Sequence, residues 1–442
     1  MRILSITAGA AGMYCGSCLR DNALAAELLA RGHDVTLLPI YTPTLTDEPN
    51  MSAPRVFFGG ISVYLQQHLW LFRQLPAFAD RLWDSVPALR AATSRKSIAT
   101  DARLLGDLTI SMLQGLEGRQ AKEFRKLIDW LKGEPPPDII QLPNSLLISL
   151  AEPLRTVLDR PVCCTLQGED LFLETLPAAP RERALSLIRE QARQVDMFLA
   201  VSDFYACKMA SYLGIARTRV RTVPLGIRLD GFAPRREYRG LFGATGYTVG
   251  FLGRISPEKG LHRLADAYLR LRARGALAGA RLEAAGYLAA EHRGYLADIE
   301  HRFASAGLQA EFSYRGAPDR DGKMAFLRSL DLFSMPATYD EPKGLPVIEA
   351  MAAGIPVVQP RRGSFIEIVE RTGGGLLVPP DDLDALGDAI QQVSADPSLA
   401  GRLGRAGRTG VERLYTAMTM ADAAVAAFEE VIADRRSRLK VV

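Results

Sequence analysis

The feature that most restricts this chain is a strand–loop–helix–strand alternation that recurs along its length. Residues 2–7 read as a buried strand and residues 8–18 as a glycine-containing loop. Residues 21–31 form an Ala/Leu-rich helix stopped by Gly32, and residues 35–41 a second strand. Parallel strands need a long crossover, and a helix supplies it, so this order reads as a βαβ unit. Strands follow at 138–142, 162–166 and 197–202, with helices at 181–194 and 203–213. A second series starts at 248–254, then a helix with Leu261, Leu264, Tyr268 and Leu271 at helical spacing. Further strands read at 281–286, 311–316, 331–336, 355–358 and 373–379, a helix at 381–393, and a terminal helical stretch at 415–438. The fold class is therefore α/β, with the same strand–helix alternation in two series. At 442 residues the chain is long enough for two sizeable cores.

The 48% hydrophobic and 24% charged fractions are those of a globular protein. Net charge is only +4 with no long basic run, which argues against a dedicated nucleic-acid binder. The first seven residues read as a strand and not as a signal peptide, and no long apolar run would span a membrane. Five cysteines, Cys15, Cys18, Cys163, Cys164 and Cys207, odd in number and crowded in one half, do not read as a secreted disulfide framework, so a cytoplasmic protein is expected.

Residues 340–358, Asp-Glu-Pro-Lys-Gly-Leu-Pro-Val-Ile-Glu-Ala-Met-Ala-Ala-Gly-Ile-Pro-Val-Val, carry the most chemistry. Glu341 and Glu349 stand eight apart around a short apolar helix, with Lys343, Gly344 and Leu345 at its start. A helix N-terminus offers unpaired N–H groups and partial positive charge to a phosphate, and Gly344 allows close approach. Carboxylates accept hydrogen bonds from hydroxyls, so two of them flanking an anion site suit a sugar phosphate or nucleotide sugar. Solvated acids on an amphipathic helix are the blander alternative. A second anion site reads at 248–261, where Gly253-Arg254 and Lys259-Gly260 lie between a strand and a helix. Arg254 can hold a diphosphate with two N–H groups and Lys259 adds a point charge. The spacing is not that of a P-loop.

The stretch 340–358 resembles the Glu-x7-Glu motif of family 4 glycosyltransferases of the GT-B fold, and 253–260 resembles that family's Gly-Arg…Glu-Lys-Gly motif. Gly363-Ser364 and Glu367 resemble its Gly-Gly…Glu, and residues 220–232 its inter-domain linker, with Leu225 and Arg228 replacing Asn and Asp. The resemblance covers nearly the whole chain. It implies two doubly wound Rossmann-like domains, an N-terminal acceptor domain, 1–228 with a crossover helix at 415–442, facing a C-terminal donor domain, 229–414, across a cleft. It assigns the donor diphosphate to Arg254 and Lys259, donor sugar hydroxyls to Glu341 and the ribose to Glu349. Gly12, Gly253, Gly316, Lys343, Gly344 and Leu345 complete the donor side, with Gly316 near the base. Gly9, Gln167 and Asp170 stand on the acceptor and sugar side. Where the family often has His-Gly-x-Asp, this chain has Gln167-Gly-Glu-Asp170. Gln hydrogen-bonds a hydroxyl but takes up no proton at neutral pH.

The implied activity is metal-independent, retaining sugar transfer from a nucleotide-diphosphate sugar to a glycan, lipid or small-molecule hydroxyl, without a cofactor. A nucleotide-sugar epimerase of the same fold and a non-catalytic, nucleotide-sugar-binding redox sensor remain as alternatives. The latter rests on Cys15-Gly-Ser-Cys18 at a helix start, where a redox pair is physically sensible and two buried thiols are the blander reading. NAD binding is disfavoured, because residues 37–41 hold no acid for a ribose. After Gly59-Gly60 and residues 63–65 the stretch up to about residue 131 reads as mostly helical, with Trp70, Phe72, Phe78, Trp83, Arg90, Arg95, Lys96 and Arg103. It reads either as core-facing helix or as an acceptor pocket or peripheral membrane contact on the cytoplasmic face.

Overall fold

A computed structural model describes residues 1–9, 15–58, 102–233, 237–238 and 246–439. Gly12 and the aromatic stretch from Trp70 to Lys96 lie outside the described residues. The chain divides into two compact units, Met1–Pro224 with Met420–Val442, and Leu225–Thr419. Among the described residues no helix is long and apolar enough to cross a membrane.

The first unit holds β1 (Arg2–Thr7), β2 (Asp34–Pro39), β3 (Ile139–Leu142), β4 (Val162–Leu166), β5 (Met197–Ala200) and β6 (Val220–Thr222). They form one parallel sheet in the order β2-β1-β3-β4-β5-β6. A parallel sheet covered on both faces needs near-continuous apolar strands, and all five residues of β4 are buried. One face packs Leu4, Ile6, Ile140 and Phe198 against the helices that follow. On the other, Ile3, Cys163 and Leu199 meet Leu24 and Leu28 of helix Gly16–Ala30 and Met420, Ala424 and Phe428 of helix Ala417–Leu439.

Helix Gly16–Ala30 begins well before residue 21, the start its sequence predicts. Its first turns add Cys18 and Arg20, which lie before that expected start. Both are buried, so packing against the sheet carries the helix back over them.

The second unit repeats the plan with β7 (Thr248–Leu252), β8 (Arg281–Ala285), β9 (Phe312–Tyr314), β10 (Leu332–Phe333), β11 (Val357–Pro360) and β12 (Gly375–Val378). Its parallel order is β12-β11-β10-β7-β8-β9. The chain winds outward from β7 in one direction, then returns to the other side of β7 as β10. That reversal is a topological switch point, where loops at the carboxyl ends of neighbouring strands part and leave a crevice. Helix Pro397–Leu414 is absent from the sequence reading, because Gly401, Gly404, Gly407 and Gly410 weaken its helical signal. All four are buried. A Cβ on Gly410 would lie 2.5 Å from the Thr372 Cβ, so close packing, not propensity, explains the glycines.

Candidate functional site

The loops leaving β7 and β10 meet at the second switch point. After β7, Gly253 and Arg254 lead into a single helical turn, Pro257–Lys259. The Gly253 N–H bonds the Ala285 carbonyl at 3.0 Å. After β10 the chain runs to Glu341, and Thr338 N–H bonds the Glu258 carbonyl at 2.9 Å, tying the two loops together.

Lys259 is the crossing point. Its Nζ lies 2.6 Å from Glu341 Oε2 and 2.6 Å from the Tyr339 hydroxyl oxygen, and 4.9 Å from the centre of the Tyr339 ring. The Tyr339 hydroxyl donates to the same carboxylate oxygen. The other oxygen, Oε1, accepts from Lys343 N–H at 3.3 Å and, more weakly, from Gly344 N–H at 3.4 Å. Burial pushes the Glu341 carboxyl up. The Lys259 charge and hydrogen bond, with the Tyr339 hydroxyl, outweigh that and hold it down to about 2. Burial, then the Glu341 charge, push Tyr339 well above its ordinary value.

Arg254 is the exposed member of the group, with 43% of its side chain accessible and Nη2 3.1 Å from Glu258 Oε1. Ser256 Oγ donates to that same oxygen at 2.7 Å. Burial would raise the Glu258 carboxyl, but Ser256, its own backbone N–H and the charges of Arg254 and Lys259 lower it.

Helix Leu345–Ala352 starts from Gly344, which takes φ +66°. This left-handed conformation favours glycine. A Cβ there would lie 2.4 Å from Ile368 Cδ1, so packing also demands glycine at this position. Glu349, on the same helix, is buried and pairs with Lys323 of helix Arg320–Ser329 at 2.6 Å. Gly316 follows β9, two strands from β7, and its carbonyl accepts from Gly286 N–H at 2.8 Å.

The two carboxylates expected to flank a ligand stand at and within the helix start, and neither is open to solvent. Glu341 and Glu349 are both buried, and each is held by a lysine from another part of the chain. Isolated buried carboxylates would be costly, and the lysines offset that cost. Arg254, Lys259, Glu341, Lys343, Gly344 and Leu345 do share one strand-end loop pair. Three cationic side chains and a helix start gather there, which suits a diphosphate more than a cation.

Gly9, Gln167 and Asp170 belong to the first unit. Gly9 takes φ +77°, and a Cβ there would lie 1.9 Å from the Thr42 carbonyl oxygen. Backbone packing requires glycine at this position. Asp170 bonds the Tyr205 hydroxyl at 2.6 Å and Lys208 Nζ at 2.8 Å. Gln167 donates Nε2–H to the Pro143 carbonyl at 2.7 Å, and its Oε1 is buried without a hydrogen-bond partner among the described residues. Glu169, not singled out in the sequence, accepts from Ser145 Oγ at 2.9 Å and Gln167 N–H at 2.8 Å, and burial raises its carboxyl.

Sequence reasoning also missed Tyr339, Glu258 and Lys323. Tyr339 and Glu258 each neighbour a recognised motif residue. Lys323 lies 26 residues before Glu349, and nothing in the sequence links the two.

Two family descriptions match in tandem: "Glycosyl transferase 4-like domain" over residues 21–226 and "Glycosyl transferases group 1" over residues 239–410. Mannosylfructose-phosphate synthase of Agrobacterium fabrum is 28% identical over 230 residues, 51% of this chain and 50% of that protein. The 2-deoxystreptamine glucosyltransferase of Streptomyces kanamyceticus is 30% identical over 238 residues, 52% of this chain and 59% of that protein. The chain thus spans little more than half the length of these curated relatives. The Anabaena protein HepE, solved with UDP and glucose, superposes with a TM-score of 0.66 at 16% identity, covering 97% of this chain and 99% of its own. That likeness shows the two-sheet GT-B fold. With both halves matched in order and the fold shared, the chain belongs to the glycosyl transferases group 1 family.

Proposed function

We propose that this protein transfers a hexosyl group from a nucleotide-diphosphate sugar to an acceptor hydroxyl with retention of anomeric configuration and without a required metal or cofactor. The observation that carries this reading is the Lys259–Glu341–Tyr339 cluster beside Arg254 and the start of helix Leu345–Ala352. Arg254 and Lys259 neutralise charge growing on the leaving diphosphate, which is electrostatic stabilisation of the transition state. Lys343 and Gly344 hold Glu341 through their N–H groups, and Glu341 fixes Lys259 in place. Donor sugar hydroxyls are assigned to the Glu341 side and the ribose to the Glu349 side. Gly253 and Gly316 are assigned to the donor side, with Gly316 near the base.

In the step proposed, the acceptor oxygen bonds the anomeric carbon on the face that the leaving diphosphate departs. The carbon–oxygen bond to phosphate breaks, and the acceptor proton passes to the leaving phosphate oxygen. The relatives named as a mannosylfructose-phosphate synthase and a glucosyltransferase support a hexose donor and a glycan, lipid or small-molecule acceptor. The first unit, with Gln167 and Asp170, is assigned to the acceptor. A cytoplasmic location, free or peripherally membrane-associated, goes with this substrate and with the cysteine usage.

The test is calorimetric titration of UDP, GDP and ADP and their sugar conjugates in EDTA, with Arg254→Ala and Glu349→Ala beside the wild type. Tight binding of one nucleotide, lost in both variants, is expected. Product NMR then reads the anomeric configuration. Absence of binding by any nucleotide to folded protein would overturn the reading, and turnover without transfer to an added acceptor would replace it with epimerisation.

A further inference from the structure

The first unit contains a dithiol that the sugar-transfer reading does not use. Cys15 is the residue that caps helix Gly16–Ala30, and Cys18 sits in its first turn. Neither is in a disulfide. Cys18 is fully buried, and Cys15 is partly exposed. The Cys18 thiol is hydrogen-bonded to Cys15 and also touches the Thr7 side chain at the end of β1. Thr7 Oγ1 donates to the buried Asp21 carboxylate at 3.0 Å, and Arg20 Nη1 donates to its other oxygen at 3.0 Å.

The remaining cysteines are placed differently. Cys163 and Cys164 are buried in adjacent positions of β4, so their side chains leave opposite faces of the sheet. Cys207 is exposed on helix Asp203–Leu213, far in sequence from the other four.

Residues three apart at a helix start lie on one face, with Cβ atoms about 5–6 Å apart. A disulfide joins Cβ atoms about 3.5–4.5 Å apart, so the pair must close by roughly 1–2 Å, and the hydrogen bond between the two thiols already brings their sulfurs together. The two thiols are also inequivalent. The helix start favours a thiolate at Cys15. Its hydrogen bond to Cys15, then burial, then the negative charge of Asp21, keep Cys18 protonated. An accessible, more acidic thiol followed by a buried partner is the arrangement that disulfide exchange requires.

We propose that Cys15 and Cys18 form a thiol–disulfide exchange site for small-molecule disulfides, with Cys15 attacking and Cys18 resolving. Cys15 loses its proton and its sulfur bonds one sulfur of the incoming disulfide. The old sulfur–sulfur bond breaks, and the first small thiolate leaves and takes up a proton. Cys18 then loses its proton and attacks Cys15 Sγ, and the second small thiolate leaves and is protonated. Two protein thiols are oxidised to one disulfide while one small disulfide is reduced to two thiols.

The experiment uses full-length protein carrying Cys207→Ser, treated with oxidised glutathione, then denatured, alkylated and mapped by peptide mass. The expected result is a single peptide holding Cys15 and Cys18, lighter by two hydrogens, with Cys163 and Cys164 fully alkylated. Adding Cys18→Ser is expected to trap one glutathionyl group on Cys15. Adding Cys15→Ser is expected to slow modification of Cys18 by about tenfold or more, because the remaining thiol is buried. Alkylation of both Cys15 and Cys18 after treatment would overturn the proposal, as would a stable adduct on Cys15 in protein that retains Cys18. The first arm alters neither cysteine of the pair, so misfolding of a pair variant does not obscure the answer. The readout is a peptide mass, and it stands apart from whether sugar is transferred.

Discussion

Lys259 and Glu341 are 82 residues apart in sequence, and their charged atoms are 2.6 Å apart in the fold. The two side chains are 14% and 4% exposed, so the pair is screened little by water. It joins the loop after β7 to the loop after β10, the two sides of the switch point in the second sheet. Tyr339 completes it by accepting from Lys259 and donating to Glu341.

Removing one partner leaves the other charge buried. Lys259→Ala is expected to lower stability by about 3–5 kcal/mol, the range for a broken buried pair. Lys259→Met combined with Glu341→Gln is expected to recover much of that loss, because no buried charge remains. Urea unfolding of the single and double variants measures both. Additive losses in the double variant would show that the pair is not coupled.

Glu341 also sets an acid limit. Its folded-state value, about 2, is below the ordinary 4.5. Its contribution is therefore complete above about pH 4.5 and is lost as pH falls toward 2. The difference corresponds to on the order of 3 kcal/mol. Denaturation midpoints from pH 6 down to about pH 2.5 are expected to fall more steeply for wild type than for Glu341→Gln. Parallel curves would remove Glu341 from the acid response.

The Lys323–Glu349 pair gives a test of the ribose side. Lys323→Met leaves Glu349 buried without its ammonium partner and frees the carboxylate to reorient. Nucleotide affinity is expected to fall at least about tenfold, or about 1.4 kcal/mol, as read by calorimetry. An unchanged dissociation constant in folded Lys323→Met would separate this pair from nucleotide binding.

Gly344→Ala combines a strained backbone with a clash. The φ of +66° and the 2.4 Å approach of Ile368 Cδ1 together predict a loss of about 1–3 kcal/mol. Adding Ile368→Val removes the clashing methyl and is expected to restore only the steric share. Thermal unfolding of the two variants separates the terms, and a fully wild-type melt for Gly344→Ala would contradict both.

The sequence by itself determined the local parts. Apolar runs such as Val162–Leu166, bounded by turn residues, read as strands because parallel strands are buried on both faces. The motif stretches around Arg254, Lys259 and Glu341 were legible because their chemistry is compressed into short loops between a strand and a helix. The early turns of helix Gly16–Ala30 and the glycine-rich helix Pro397–Leu414 were not, because tertiary packing stabilises them against their own propensity.

Only the tertiary structure decided the pairings. It paired Glu341 with Lys259, Glu349 with Lys323 and Arg254 with Glu258, so that each expected ligand group sits beside a counter-charge. The first two pairs join residues far apart along the chain. Burial is what makes them necessary, since a carboxylate removed from water needs a compensating charge wherever the fold can bring one. The order of strands in the second sheet, with its reversal at β7, placed those charges together, and no local sequence rule encodes that reversal.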